Sequence, residues 1–146
     1  MTKMAYCAGM LSCVGCLALL EQHGAGYGAV LKRVNETTPL SVAETAVLGA
    51  SHGHVGAYLL SLWGFESHLV EAVAYACTPS HSPSRAFAPL TAVHIARAMG
   101  PRFPLLPPQC HPPDLMDDNY LRECGIAHKV DEWRALAEND GKTACR

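Results

Sequence analysis

Apolar residues recur along this chain at helical spacing, and no stretch sustains the apolar–polar alternation that is typical of a half-buried strand. The pattern predicts helices over about 4–22, 27–34, 41–48, 52–63, 66–77 and 89–99, with two short ones over 118–124 and 127–138. Glycine, proline and serine residues separate most of these segments. The sequence therefore predicts an all-α fold, a bundle of about six to seven main helices.

Length and composition agree with one globular domain. The 146 residues allow a single hydrophobic core, and we expect the domain to occupy 1–138 and a flexible tail to occupy 139–146. Apolar residues make up 49% of the chain and charged residues only 16%, a balance that excludes intrinsic disorder and a coiled coil. The net charge of −2 argues against a surface for nucleic acid or anionic membranes.

The seven cysteines follow no regular spacing. Their odd number favours reduced thiols and a cytoplasmic protein over an extracellular disulfide framework. Cys13 and Cys16 have the CxxC spacing of redox and zinc sites. No strand is predicted before this pair and no second pair has a matching spacing, so we favour small buried thiols that pack within a helix.

The apolar stretch 4–20 after Lys3 has two interpretations. It resembles a signal peptide in composition. However, Gly9, Ser12 and Gly15 interrupt it, and it is shorter than the roughly 20 residues that span a bilayer. We therefore favour a buried core helix and expect no membrane association.

Two segments carry local signals. Ser41-Val42-Ala43-Glu44 has the capping-box pattern, in which the serine and the glutamate satisfy free N–H groups at a helix start. The proline-rich segment 100–113 could be a linker or a polyproline ligand. We expect an extended loop that lays Phe103, Leu105 and Leu106 across the helices.

The segment 44–79, ETAVLGASHGHVGAYLLSLWGFESHLVEAVAYACTP, resembles the HDOD domain of bacterial signalling proteins. That domain is the non-catalytic relative of the HD and HD-GYP metal-dependent phosphohydrolases. Shorter matches lie at 8–15 and 91–97, so the resemblance covers about 5–136. The matched positions that we expect to support the fold are Gly49, Gly56, Tyr58, Trp63, Gly64, Glu71 and Tyr75.

The resemblance also implies two departures from the family. The helices that precede the 8–15 segment in the family are absent, so the chain is similar to the C-terminal part of the domain, an N-terminally truncated HD-like bundle. The metal-binding positions of the catalytic relatives are also replaced. They correspond here to Ser12, Cys13, His52, Ala76, Cys77 and Arg97, of which only His52 keeps a ligand type.

These replacements remove the chemistry of the catalytic relatives. Such a hydrolase needs carboxylates and imidazoles around its metals, whereas the Arg97 guanidinium has five donors and no lone pair. At about 4 Å it would oppose each unit of metal charge by roughly 4 kcal/mol at an effective dielectric of 20. We expect no catalysis, no metal and no cofactor.

We also predict structural roles for four individual residues. We expect His52 to hydrogen-bond across the helix break that precedes it. Tyr58 and Trp63 are predicted to lie in the core. Glu71 is expected to pair with Arg97 or with a backbone amide.

The resemblance implies a non-catalytic bacterial module for signal transduction, such as a response-regulator output. It would bind a protein partner or a second copy of itself through apolar helical faces left exposed within 4–20 and 55–62. Two alternatives remain open. One is a residual phosphohydrolase acting on nucleotides or cyclic dinucleotides, and the other is a redox or metal sensor that uses Cys13, Cys16 and Cys77.

Overall fold

A computed structural model of the protein describes residues 2–35, 37–99 and 116–143. In these ranges the α-helices are α1 (Thr2–Leu11), α2 (Val14–His23), α3 (Gly28–Leu31), α4 (Leu40–Leu48), α5 (His52–Leu62), α6 (Ser67–Ala74), α7 (Pro89–Met99), α8 (Asp118–Glu123) and α9 (Val130–Thr143). Short 3-10 turns lie at Gly24–Tyr27, Pro79–His81 and Ala127–Lys129. Seven of the α-helices have eight or more residues, which confirms the all-α prediction.

The apolar stretch at the N-terminus forms two helices, so the prediction of one helix over 4–22 was wrong. The chain turns between α1 and α2, where the Ser12 hydroxyl donates a hydrogen bond of 2.7 Å to the Gly9 carbonyl. A serine hydroxyl that bonds a nearby backbone carbonyl competes with helix continuation, and nearby glycines weaken the helix further. As a result α1 packs on α6 and α7, whereas α2 packs on α5.

By length and composition, 2–31 is also apolar enough to cross a membrane. This is weak evidence, because core helices and signal sequences pass the same test. In the structure several of its side chains are buried against other helices: Ala8, Cys16, Leu19, Tyr27 and Val30.

Three glycines let neighbouring helices approach backbone to backbone. A Cβ on Gly15 of α2 would lie 1.9 Å from the His52 carbonyl oxygen of α5. A Cβ on Gly53 would lie 2.8 Å from the Ala74 carbonyl oxygen, and one on Gly56 would lie 3.2 Å from the Gly15 nitrogen. Helix α5 therefore turns its glycine face inward, towards α2 and α6.

This orientation differs from the expectation that Tyr58 and Trp63 face the core. The buried residues of the helix are His52, Gly53, Gly56, Ala57 and Leu60. Tyr58 and Trp63 are 65% and 59% exposed, so their predicted core positions were wrong. The physical reason is close packing: a face built from large side chains could not approach α2 at backbone distance.

Buried apolar side chains of the described residues form two clusters. One cluster joins α1, α5, α6, α7 and α8, with Leu60, Val73, Leu90 and Tyr120 among its members. The other joins α2, α3 and α4 around Tyr27.

The remaining helices agree with the sequence to different degrees. Helix α7 has the predicted bounds, 89–99. Helix α9 continues to Thr143 and so includes the first residues of the tail expected at 139–146; the flexibility of that tail stays a prediction. The proline-rich segment 100–113, with Phe103, Leu105 and Leu106, lies outside the described residues.

Candidate functional site

Glu44 of α4 lies at the centre of a buried hydrogen-bond network. Its side chain is completely buried. Oε2 accepts a bond of 2.7 Å from the His52 backbone N–H and lies 2.6 Å from His52 Nδ1. Oε1 accepts a bond of 2.5 Å from the Tyr27 hydroxyl. Burial opposes the negative charge, but these bonds and the charge on His52 hold the pKa of Glu44 below its ordinary value.

The capping-box prediction for this segment was wrong. Helix α4 begins at Leu40 with Pro39 at its N-cap and no side-chain cap bond, so Ser41 already lies inside the helix. The Glu44 carboxylate reaches forward to the start of α5 instead of back to its own helix start. A completely buried carboxylate needs strong donors, and the start of α5 supplies two of them.

His52 is the first residue of α5, and it bonds back to α4 across the break at Gly49. Gly49 makes this break with a positive φ of 82°, a conformation that favours glycine. The expected hydrogen bond of His52 across the break is therefore present. Because Nδ1 donates to Glu44, Nε2 is free to face the Cys77 sulfur, 3.6 Å away.

The surroundings of His52 favour its protonated form. Burial alone would lower its pKa, but the bonds and charges of Cys77 and Glu44 outweigh burial and raise the pKa to about 10. The resulting imidazolium lies between the Glu44 carboxylate and the Cys77 sulfur.

Cys77 enters the site because α6 ends at Ala74 and the chain turns over 75–77. Its sulfur lies 3.6 Å from Nη2 of Arg97, an exposed residue of α7. Burial opposes the thiolate, but the hydrogen bond with His52 and the positive charge of Arg97 lower the pKa of Cys77 to about 7.

Arg97 also contacts the turn between α1 and α2. Its Nη1 donates a bond of 3.2 Å to Ser12 Oγ and lies 3.7 Å from the Cys13 sulfur. One guanidinium therefore connects the sulfurs of Cys13 and Cys77. The structure brings together five of the six positions assigned from the sequence: Ser12, Cys13, His52, Cys77 and Arg97.

The sixth position, Ala76, contributes only its backbone. Its side chain belongs to the core, and its carbonyl oxygen lies 2.9 Å from Nδ1 of the buried His94. The other ring nitrogen, Nε2, accepts a bond of 3.0 Å from the Asp117 backbone N–H. His94 thus ties the turn after α6 and the N-cap residue of α8 to α7.

The three thiols named from the sequence do not form one cluster. Cys16 is buried, and its sulfur lies 3.8 Å from the Tyr27 hydroxyl rather than beside Arg97. Burial raises the pKa of Cys16 to about 11. Only Cys13 and Cys77 share a partner.

Glu71 has a different partner from the one expected. Its Oε1 accepts a bond of 2.6 Å from the Ser82 hydroxyl, which ties α6 to the segment after it. The predicted pair with Arg97 was wrong, because that guanidinium is turned towards Ser12 and the two sulfurs.

The donor set of the site does not suit a metal ion. No group of three or more His, Cys, Asp or Glu side chains in the described ranges is placed to hold one. The guanidinium of Arg97 already lies among the positions that the resemblance assigns to metal ligands, and it repels cations. The arrangement instead suits a sulfur anion, which two positive groups stabilise.

Sequence reasoning missed the partners of Glu44. The sequence places Tyr27 in a short helix over 27–34, and it gives Glu44 a capping role and a position in the family-like segment 44–79. The two residues are 17 positions apart and lie on different helices. A polar residue on the apolar face of a predicted helix was the one available signal, because such a residue needs a buried partner.

The opposed charges predict an unusual pH profile of stability. Folded His52 holds a proton that it loses on unfolding. Its contribution to the free energy of unfolding is therefore complete below its ordinary pKa of 6.5 and is lost as the pH rises through its folded-state pKa of about 10. Cys77 behaves oppositely: its contribution is present above its ordinary pKa of 9.0 and is lost as pH falls through about 7. Between pH 7 and 9 the two effects cancel, and we expect a nearly constant free energy of unfolding.

The Cys77→Ser variant loses the thiolate effect and also one of the two partners that raise the pKa of His52, so only the Glu44 carboxylate still favours the imidazolium. Its free energy of unfolding should fall as pH rises above 6.5, by up to about 1.4 kcal/mol per pH unit. Urea unfolding at several pH values and constant ionic strength measures both profiles. The matched control is Cys7→Ser, at an exposed cysteine, which should follow the wild type. Parallel pH profiles of the free energy of unfolding for Cys77→Ser and the wild type would contradict the opposed effects of His52 and Cys77.

Comparison with known proteins adds one finding. The profile of the family described as HDOD domain matches residues 1–79, just over half of the 146 residues. The match includes the segments 8–15 and 44–79, whereas 91–97 lies outside it, so the similarity there stays a prediction. No curated protein and no solved structure matches the chain.

Proposed function

Because this chain belongs to the HDOD domain family, we propose that it is a non-catalytic signal-transduction module of the bacterial cytoplasm that acts by binding protein. The site supports a role without hydrolysis, since Arg97 lies where a phosphohydrolase would need anionic or imidazole ligands. The alternative of a phosphohydrolase acting on nucleotides or cyclic dinucleotides has no such support.

The observation that carries this proposal is the exposure of large apolar side chains at the C-terminal end of α5. Tyr58 and Leu62 are 65% and 64% exposed, and their spacing of four places them on one helix face. Trp63 and Phe65 follow at 59% and 41%. We call these four residues the α5 patch. Aromatic residues are enriched at protein interfaces and among the side chains that dominate binding energy.

A second apolar pair lies on α1. Tyr6 and Met10 are also four residues apart, and they are 71% and 69% exposed. Exposed apolar residues thus lie in both stretches where uncovered faces are expected, 4–20 and 55–62, and their exposure supports the proposal.

We propose a second copy of this chain as the occupant of the α5 patch. A patch that meets its own copy across a two-fold axis is apolar on both sides, so it is complementary to itself. The net charge of only −2 gives little repulsion between copies. The same low charge supports a protein partner rather than nucleic acid or an anionic membrane.

Replacing the centre of the α5 patch should weaken self-association. We expect the wild type to form a concentration-dependent dimer, and Leu62→Ser with Trp63→Ser to raise its dissociation constant by about 30-fold or more, the effect of losing about 2 kcal/mol. Light scattering coupled to size exclusion measures both. Val42→Ser is the matched control, because Val42 is a similarly exposed apolar residue on α4.

Because Leu62 and Trp63 are exposed, their replacement should weaken self-association without disturbing the core. Thermal unfolding should show an unchanged fold in the double variant. A wild type that stays monomeric at every concentration, or a double variant that dimerises like the wild type, would overturn this proposal.

A further inference from the structure

Glu44, His52 and Cys77 form a series in which a carboxylate orients an imidazole that faces a thiol. Glu44 Oε2 lies 2.6 Å from His52 Nδ1, and His52 Nε2 lies 3.6 Å from the Cys77 sulfur. An oriented histidine beside a cysteine is the arrangement that activates a sulfur nucleophile.

The far side of the sulfur carries a second positive group. Arg97 Nη2 lies 3.6 Å from Cys77, so an imidazolium and a guanidinium both contact the same sulfur. Thiolates are stabilised by such electropositive surroundings. Cys77 is only partly buried, unlike Glu44 and His52.

We propose that Cys77 is a nucleophilic thiolate that reduces hydroperoxides, and that Cys13 then converts the oxidised sulfur to a disulfide. This site is independent of the α5 patch and does not rest on self-association. It would give the module a redox input.

The first step is a two-electron transfer from sulfur to peroxide. The Cys77 thiolate attacks one peroxide oxygen, an S–O bond forms and the O–O bond breaks. The sulfur is oxidised to sulfenic acid and the peroxide is reduced. The leaving oxygen departs as water or an alcohol after it takes a proton, which the His52 imidazolium is placed to supply.

The second step joins the two sulfurs. The Cys13 thiolate attacks the sulfur of the sulfenic acid, an S–S bond forms, and hydroxide leaves as water after protonation. Both sulfurs contact the same guanidinium, Cys13 at Nη1 and Cys77 at Nη2. Arg97 is exposed and can turn towards solvent when the two sulfurs approach.

Cys16 provides a contrast within the same molecule. Its sulfur faces the Tyr27 hydroxyl and its pKa is raised to about 11, whereas that of Cys77 is lowered to about 7. At pH 7 about half of Cys77 would be thiolate, compared with a few per cent of an ordinary cysteine.

The first test compares cysteines within the wild-type protein. Limiting iodoacetamide at pH 7, followed by peptide mass spectrometry, should label Cys77 about tenfold faster than the exposed Cys7. The rate at Cys77 should reach half its maximum near pH 7. In Arg97→Gln it should fall at least about threefold at pH 7, because one of the two positive partners is lost. If Cys77 were labelled no faster than Cys7, the proposal that Cys77 is a nucleophilic thiolate would be wrong.

The second test follows the oxidation itself. One equivalent of hydrogen peroxide should produce a peptide that links Cys13 to Cys77. In Cys13→Ser, dimedone should trap sulfenic acid on Cys77, and in Cys77→Ser, Cys13 should stay reduced. Circular dichroism verifies that the variants are folded. Sulfenic acid without the disulfide in the wild type would overturn the Cys13 step, and faster oxidation of Cys7 or Cys124 would overturn the whole proposal.

Discussion

Replacing Glu44 with alanine is expected to destabilise the protein by about 3–5 kcal/mol, a cost typical of breaking a buried charge pair. The carboxylate is completely buried and accepts bonds from the Tyr27 hydroxyl and from two groups of His52. Its removal leaves a buried hydroxyl and a buried imidazolium without their acceptor. Each buried group left unsatisfied costs about 1–3 kcal/mol.

Glu21→Ala is the matched control for this loss. Glu21 is an exposed residue inside α2, where alanine is an equally good helix former. Its replacement should change the free energy of unfolding by less than about 0.5 kcal/mol. Urea unfolding at pH 7 measures both variants. If Glu44→Ala were as stable as Glu21→Ala, the buried network would not hold α4 to α5.

Adding one methyl group at Gly15 is expected to cost about 3 kcal/mol or more. The new Cβ would lie 1.9 Å from the His52 carbonyl oxygen and 2.5 Å from the Gly56 nitrogen. Both are backbone atoms, so no side chain can move aside, and α2 must separate from α5. The separation also displaces His52 from Glu44, because α5 begins at His52.

Gly9→Ala is the opposite case on the preceding helix. A Cβ there would meet no atom within 4 Å, and alanine is the better helix former by about 0.5–1 kcal/mol. Thermal unfolding should therefore show a higher midpoint for Gly9→Ala and a much lower one for Gly15→Ala. Equal midpoints for the two variants would contradict the close approach of α2 and α5.

Apolar periodicity was sufficient for the class of fold and for most helices. It predicted an all-α chain and placed α7 at 89–99. It failed at the N-terminus, where α1 ends beside Ser12, whose hydroxyl donates a hydrogen bond to the Gly9 carbonyl. It also failed on α5, because an apolar pattern is read from large side chains, whereas Gly53 and Gly56 are on the buried face of this helix.

The positions of the candidate site followed from residue-by-residue similarity to a family, but their arrangement did not. The resemblance implies that the donors needed for a metal are replaced at Ser12, Ala76 and Arg97. It did not show that the Arg97 guanidinium contacts Cys13 and Cys77, which are 84 and 20 residues away.

The sequence by itself determined the all-α class and the approximate positions of most helices, because helix formation depends on neighbours three and four residues apart. The tertiary structure alone decided that Glu44 binds His52 and Tyr27 instead of capping its helix. It also decided that the sulfurs of Cys13 and Cys77 contact the Arg97 guanidinium. The physical reason is that burial and hydrogen bonding between helices depend on how their faces pack, and that packing is set by close contacts such as those of Gly15.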